Sequence, residues 1–263
     1  MSSLHGRRAL VTGASRNLGA EVARELARHG ASIAVNSRTS SSEADLVVES
    51  LACADGARHV AVEGDVTDAS DVARIVERSA AALGGPIDIL INNAGPYVST
   101  PFVDLAVDDF DLVWNAKVRG AYLLTRAVAP GMRAAGNGRI VNVSASSAFV
   151  RNRSIYSLAN ASVITLTEQL AVELAPDILV NAVAPGQIQE SLDELRALAP
   201  QWADEVVRRT PLGRLATRRE VAGFIGLMCG PAFDAITGVT VPIDGGLRLG
   251  AFAHNEEGVG LGT

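Results

Sequence analysis

Arg8-Ala9-Leu10-Val11-Thr12-Gly13-Ala14-Ser15-Arg16-Asn17-Leu18-Gly19, running on into Ala20 to His29, is the stretch from which the fold can be read. It opens with a short apolar run. Residues 12–19 form a turn of small residues, and residues 20–29 carry apolar side chains at helical spacing, so the segment reads strand, turn, helix. Gly13 and Gly19 stand where so tight a turn needs a positive φ, or room for another backbone or a ligand. The helix that follows aims its unbonded N–H groups and positive dipole end back at the turn, where a pyrophosphate would sit. Two glycines in a strand-to-helix turn are also an ordinary connection, so their meaning depends on the rest of the chain.

The 263 residues are enough for one large α/β domain, with a substantial core expected over residues 1–252. Hydrophobic residues make up 48% but aromatic ones only 4%, which suits buried parallel strands under Ala-rich helices. A net charge of −6 with both signs scattered argues against a nucleic-acid partner. Cys53 and Cys229 are too few and too far apart for a disulfide framework, and no signal peptide or long apolar span is visible. A cytoplasmic protein with no membrane partner is the expectation. The four histidines are dispersed without ligand spacing, so no metal site is expected.

Strands and helices alternate to the end. Strands are expected at residues 32–36, 59–63, 87–91, 139–143, 178–183 and 237–243, and helices at 42–54, 69–83, 108–135, 155–174, 191–209 and 218–228. This order predicts a Rossmann-type, doubly wound seven-stranded parallel sheet with helices on both faces and right-handed crossovers. Ligands on such a sheet bind beyond the carboxyl ends of the strands, so the turns after strands one, four, five and six should line one site. Residues 187–211, more polar and irregular, are expected to form a lid in which Trp202, with Leu192, Leu195 and Leu198, covers the substrate or packs on a neighbouring subunit. The tail Ala253 to Thr263 is expected to be loosely held.

Thr12-Gly13, Asn17-Leu18-Gly19, Asp65, Asn92-Asn93-Ala94-Gly95, Tyr156, Pro185-Gly186 and Asp244-Gly245-Gly246 follow one another at intervals that resemble the short-chain dehydrogenase/reductase family, from about Gly6 to Gly246. The resemblance implies a nicotinamide dinucleotide, hydride transfer at a carbonyl or alcohol of a small-molecule substrate, and a homo-oligomer, tetramer or dimer. It also implies that Gly13, Ser15, Arg16, Asn17, Leu18 and Gly19 border the phosphates, that Asp65 and Val66 contact the adenine, and that Asn93, Ala94 and Gly95 border the inner ribose. Pro185, Gly186 and Ile188 would also contact the cofactor.

Charge bears on which dinucleotide. The second strand ends Asn36-Ser37-Arg38, with no carboxylate for a ribose 2′-hydroxyl, and Arg16 lies in the first turn. Two guanidinium groups around one phosphate favour NADP(H) over NAD(H); otherwise both are solvent-facing. Two positions run against phosphate binding. Asn17 replaces a glycine, and Glu190 places a carboxylate where the family has a threonine. That carboxylate would repel a pyrophosphate unless it turns away or meets an arginine such as Arg151 or Arg153.

The catalytic positions depart further. The family pairs a Tyr with a Lys four residues on, which lowers a phenol pKa otherwise near 10. Here the stretch reads Tyr156-Ser157-Leu158-Ala159-Asn160, and the lysine is missing. In the long helix Lys117 aligns with the family's Asn, as though Lys117 and Asn160 had changed places. Lys117 then supplies the ammonium from a neighbouring helix while Asn160 takes a hydrogen-bonding role on the Tyr156 helix, or Lys117 points to solvent or into a subunit contact and the site has decayed. Counting forward from Arg139 puts Ala145 at the family's serine position and counting back from Tyr156 puts Ser144 there, so Ser144 or Ser146 is the donor to a substrate oxygen, or the three serines are turn chemistry alone. Two function classes follow: an NADPH-dependent reductase of a ketone, imine or conjugated enone, and a non-redox use of the fold as a cyclase, dehydratase, isomerase or nucleotide-binding protein.

Overall fold

The computed structural model describes residues 4–39, 41–53, 56–150 and 152–249. The expected tail Ala253 to Thr263 and Arg151 lie outside these residues, as do the side chains of Leu195 and Leu198. Seven strands form one sheet in the order β3-β2-β1-β4-β5-β6-β7. They are β1 (Arg8–Val11), β2 (Ser32–Ser37), β3 (His59–Glu63), β4 (Ile89–Asn92), β5 (Gly138–Val143), β6 (Ile178–Pro185) and β7 (Thr240–Ile243). Every neighbouring pair is parallel. The winding reverses between β1 and β4, which are paired directly, Leu10 opposite Leu90.

The strands alternate sides with period two, and each side has its own core. Val11, Ile33, Val35, Ile89 and Ile91 pack with α1 (Asn17–Arg28) and α9 (Arg218–Met228) on one face. Leu10, Ala34, Leu90, Ile140 and Val180 pack on the other face with α3 (Ala69–Leu83), α5 (Gly120–Ala135) and α6 (Ile155–Leu174). No helix among the described residues is long and apolar enough to cross a membrane.

Three helical expectations need correction. The helix expected over 42–54 is α2 (Ser41–Glu49), shorter at its end. The long helix expected over 108–135 is α4 (Val107–Trp114), a π turn over Asn115–Arg119, and then α5. The helix expected over 191–209 is two, α7 (Leu192–Leu198) and α8 (Pro200–Arg208). The break falls at Ala199, non-helical at φ −151° and ψ 75°, because the ring of a following proline disfavours helical backbone, whereas Pro200 is well suited to a first helical position.

Candidate active site

Beyond the carboxyl ends of the strands lies a cleft of about 1620 Å³, more than the roughly 300–1,000 Å³ that one drug-sized ligand fills. Turns after all seven strands line it, not only the four expected. Every site residue expected from the sequence borders this cleft except Asn160.

At the β1 turn Gly13 has φ +59° and Asn17 φ +52°, so asparagine takes over the left-handed backbone that glycine usually provides. Gly19 is needed for close approach instead: a Cβ there would overlap the Gly13 carbonyl and lie 2.7 Å from Asn93 Nδ2. The Asn93 amide donates to the carbonyls of Thr12 (2.9 Å) and Gly13 (3.1 Å), so its side chain braces the turn and only its backbone edge is left to border a ribose. At the start of α1, Arg16 makes no side-chain cap and no acidic residue stands in the first turn, so the helix presents open N–H groups to the cleft. That uncapped end, with a glycine cradle that a Cβ would fill, fits a dinucleotide pyrophosphate.

Arg16, Ser37 and Arg38 border one end of the cleft, beside Asp65 and Val66. A carboxylate with no signal in the motifs stands there too. Glu43 of α2 also lines the cleft and accepts from Ser15 Oγ at 3.4 Å.

Glu190 turns away from the phosphate site. Both its carboxylate oxygens accept from the Arg218 backbone N–H at 3.0 Å, so it caps α9 electrostatically, and its partner among the described residues is a helix end. Glu190→Ala is therefore expected to lower unfolding stability by about 1 kcal/mol with no change in NADPH affinity. A tighter NADPH titration in the variant would show that the carboxylate faces the phosphates instead.

The π turn holds Lys117 in the cleft. In a π turn the backbone bond skips one residue further than in an α-helix, and here Asn115, Ala116 and Lys117 all reach the cleft wall. Lys117 is 6% exposed, its Nζ donates to the Val143 carbonyl at 3.2 Å and lies 5.8 Å from the centroid of the Tyr156 ring. Its alkyl chain crosses Gly95, φ +151°, where an added Cβ would overlap Cε and lie 2.7 Å from Cδ. Burial beside a neutral carbonyl lowers the ammonium pKa from 10.5 to about 8. The solvent-facing alternative for Lys117 does not hold.

Tyr156 lies near the start of α6, whose Ser154 cap accepts from the Ser157 N–H at 3.2 Å. Val113 of α4 packs with Ile155 and Ala159 of α6, with Trp114 and Val118 against them, which fixes the π turn relative to the tyrosine. Burial raises the Tyr156 phenol pKa, and Tyr97 stands edge-on with ring centroids 4.9 Å apart. The expectation that Lys117 lowers the phenol is thus corrected: desolvation prevails, and the easily titrated group of the pair is the lysine.

Asn160 is fully buried and donates to the Tyr156 carbonyl at 2.8 Å. It bonds its own helix and works against burial by lowering the Tyr156 phenol pKa, but lines no part of the cleft. Ser144 Oγ donates to the Asn160 carbonyl at 2.9 Å, which commits its hydrogen. Ser146 Oγ has no hydrogen-bond partner among the described residues and lies 3.6 Å from where a Gly186 Cβ would be, so Ser146 is the better placed donor to a ligand oxygen. Above this end stand Trp202, Glu205 and Val206 of α8 and Arg209, with Leu247 and Arg248 from the turn after β7.

A family model described as enoyl-(acyl carrier protein) reductase matches residues 13–248. The chain is 36% identical to a 3-oxoacyl-[acyl-carrier-protein] reductase of Synechocystis sp., over 95% of this chain and 100% of that protein. It is 34% identical to a tropinone reductase homolog of Arabidopsis thaliana, over 96% of each. Among solved structures, a gluconate 5-dehydrogenase from Burkholderia cenocepacia in complex with NADP and tartrate aligns with a TM-score of 0.86 at 29% identity, over 95% of this chain and 98% of that one. A short-chain dehydrogenase/reductase from Serratia marcescens aligns with a TM-score of 0.85 at 30% identity, over 93% and 99%. With its sheet order, its glycine turn and its cleft, the chain belongs to the short-chain dehydrogenase/reductase family of NAD(P)-dependent oxidoreductases.

Proposed function

We propose that this protein is an NADPH-dependent reductase of a small-molecule carbonyl in which Lys117 is the proton source. The observation that carries the reading is an ammonium with a pKa of about 8, buried in the cleft wall 5.8 Å from the Tyr156 ring. Bound NADPH supplies the hydride. Tyr156, kept neutral by burial, and Ser146 donate hydrogen bonds to the substrate oxygen, holding the carbonyl and stabilising the charge that develops on it. The Lys117 ammonium gives up the proton that converts the oxyanion to the alcohol, directly or through the Tyr156 hydroxyl, and is reprotonated from the cleft. A donor whose pKa lies near the working pH is suited to this transfer.

The non-redox alternative rests on the altered lysine position, where Asn160 stands, and on Asn17 and Glu190. Asn17 adopts the left-handed backbone and Glu190 bonds α9, so neither obstructs the phosphate site, which supports the reductase reading. The test is NADPH titration by its fluorescence, followed by NADPH oxidation across a panel of ketones, imines and enones. Tight NADPH binding with no oxidation by any of them, and no effect of substitutions at Lys117 and Tyr156 on the protein's activity, would favour the non-redox class.

Preference for NADP(H) rests on Arg16 and Arg38. Arg38→Ala is expected to weaken NADPH binding about tenfold and NADH binding less than about twofold. Glu43 supports a second reading, in which its carboxylate accepts from a ribose 2′-hydroxyl and favours NAD(H). A gain in NADPH affinity in Glu43→Gln, with a loss for NADH, would establish that reading in place of the first.

A further inference from the structure

The substrate end of the cleft carries two guanidinium groups, Arg209 at the end of α8 and Arg248 after β7. Among the described residues no carboxylate lies within hydrogen-bond distance of either side chain. Arg248 comes nearest to having one, its Nε 3.9 Å from Asp244 Oδ2. Asp244 is engaged elsewhere, accepting from the backbone N–H groups of Gly246 (2.9 Å) and Arg248 (3.1 Å). Glu205, the carboxylate of the lid that lines the same end, is bonded to Arg208 at 2.8 Å. The Arg248 Nε is buried and has no hydrogen-bond partner.

Arg248 is nonetheless positioned. Its guanidinium carbon lies 5.2 Å from the centroid of the Phe149 ring, at the end of the loop that bears Ser146 and Ser147. A cation–π contact steadies the guanidinium and uses none of its N–H donors. A planar fork held beside the carbonyl-binding serine matches a carboxylate, which it can engage by two parallel bonds.

We infer that Arg248, seconded by Arg209 from the lid, recognises a carboxylate carried by the substrate, so that the substrate class is an oxo acid. This rests on the reductase reading for its chemistry but not for its binding. Trp202, Val206 and Leu247 line the same end and suit the carbon chain between the two polar groups.

The experiment compares levulinate with methyl levulinate, in which one methyl group removes the charge. With NADPH, kcat/KM for the acid is expected to exceed that for the ester. In Arg248→Gln the acid-to-ester ratio is expected to fall about tenfold or more, with Arg248→Lys intermediate and the NADPH titration unchanged. Arg209→Gln, in an exposed position, gives a smaller fall in the same ratio and guards against misfolding of the first variant. Binding of both compounds to the protein–NADP⁺ complex, where no hydride can move, is measured in parallel by calorimetry. Arg248-dependent binding of levulinate without turnover in the NADPH assay would overturn the reductase reading and leave the carboxylate site standing. Equal handling of acid and ester by the wild-type protein, or a ratio unmoved in both variants, would overturn the inference.

Discussion

Lys117→Met is expected to lower kcat for carbonyl reduction by about two to four orders of magnitude, with NADPH still bound. Methionine follows the same path over Gly95 and fills similar volume, so the packing of the π turn against α6 survives while the proton source is lost. Stability moves the other way. With its folded pKa at about 8 against 10.5 in the unfolded chain, Lys117 binds fewer protons in the native state between those two values. The penalty for burying the ammonium is complete below pH 8 and disappears as pH rises toward 10.5, so wild-type stability should climb across that window. The depression corresponds to roughly 3 kcal/mol, and Lys117→Met should recover much of it as a higher Tm. In the reductive direction the wild-type rate should fall as pH passes above about 8, because the ammonium is then deprotonated. That limb should be absent in Lys117→Met. Tyr156→Phe, which removes only a neutral donor, should cost about a hundredfold and keep the limb. Retained turnover in Lys117→Met would end the assignment of the proton to Lys117.

Gly19→Ala is expected to destabilise the protein by about 2–3 kcal/mol and to raise the NADPH Kd about tenfold or more. An added Cβ overlaps the Gly13 carbonyl and lies 2.8 Å from Ala14 Cα, and both are backbone atoms that move only if the whole turn moves. Asn93, whose amide braces the Thr12 and Gly13 carbonyls, would be displaced with it. Gly223 in α9 is the control: a Cβ there meets only Glu25 Oε1 at 3.9 Å, and alanine is the better helix former. Denaturant melts and NADPH titrations on the two variants check the contrast, and equal behaviour would remove the close-approach argument for Gly19.

The sheet and most helices were legible because their signals are local. Helices over 155–174 and 218–228 match the observed bounds, each opened by a capping residue, Ser154 and Thr217, ahead of an apolar run. The glycine turn and the residues lining the cleft followed from motifs at fixed intervals. What escaped depends on geometry between distant segments. A π turn of five residues alters hydrophobic periodicity too little to register, so Lys117 could be aligned but not placed. Glu190 bonds a helix end 28 positions later, and Glu43 is brought to the phosphate end by α2; neither partnership leaves a mark in the local sequence. Which of the two serines, Ser144 or Ser146, has its hydroxyl hydrogen already taken depends on a carbonyl of α6, and the Asn160 carbonyl takes that of Ser144.

The widened coil between Asn115 and Arg119 also makes the position of the amine a matter of chain length. A single deletion there would close the wide turn to ordinary helical winding with α4 and α5 kept in phase, and the side chain now carried over Gly95 would lose the extra residue that places it. Chemistry and backbone count are tied together in this stretch, so relatives that differ by one residue here are expected to have moved their cation elsewhere.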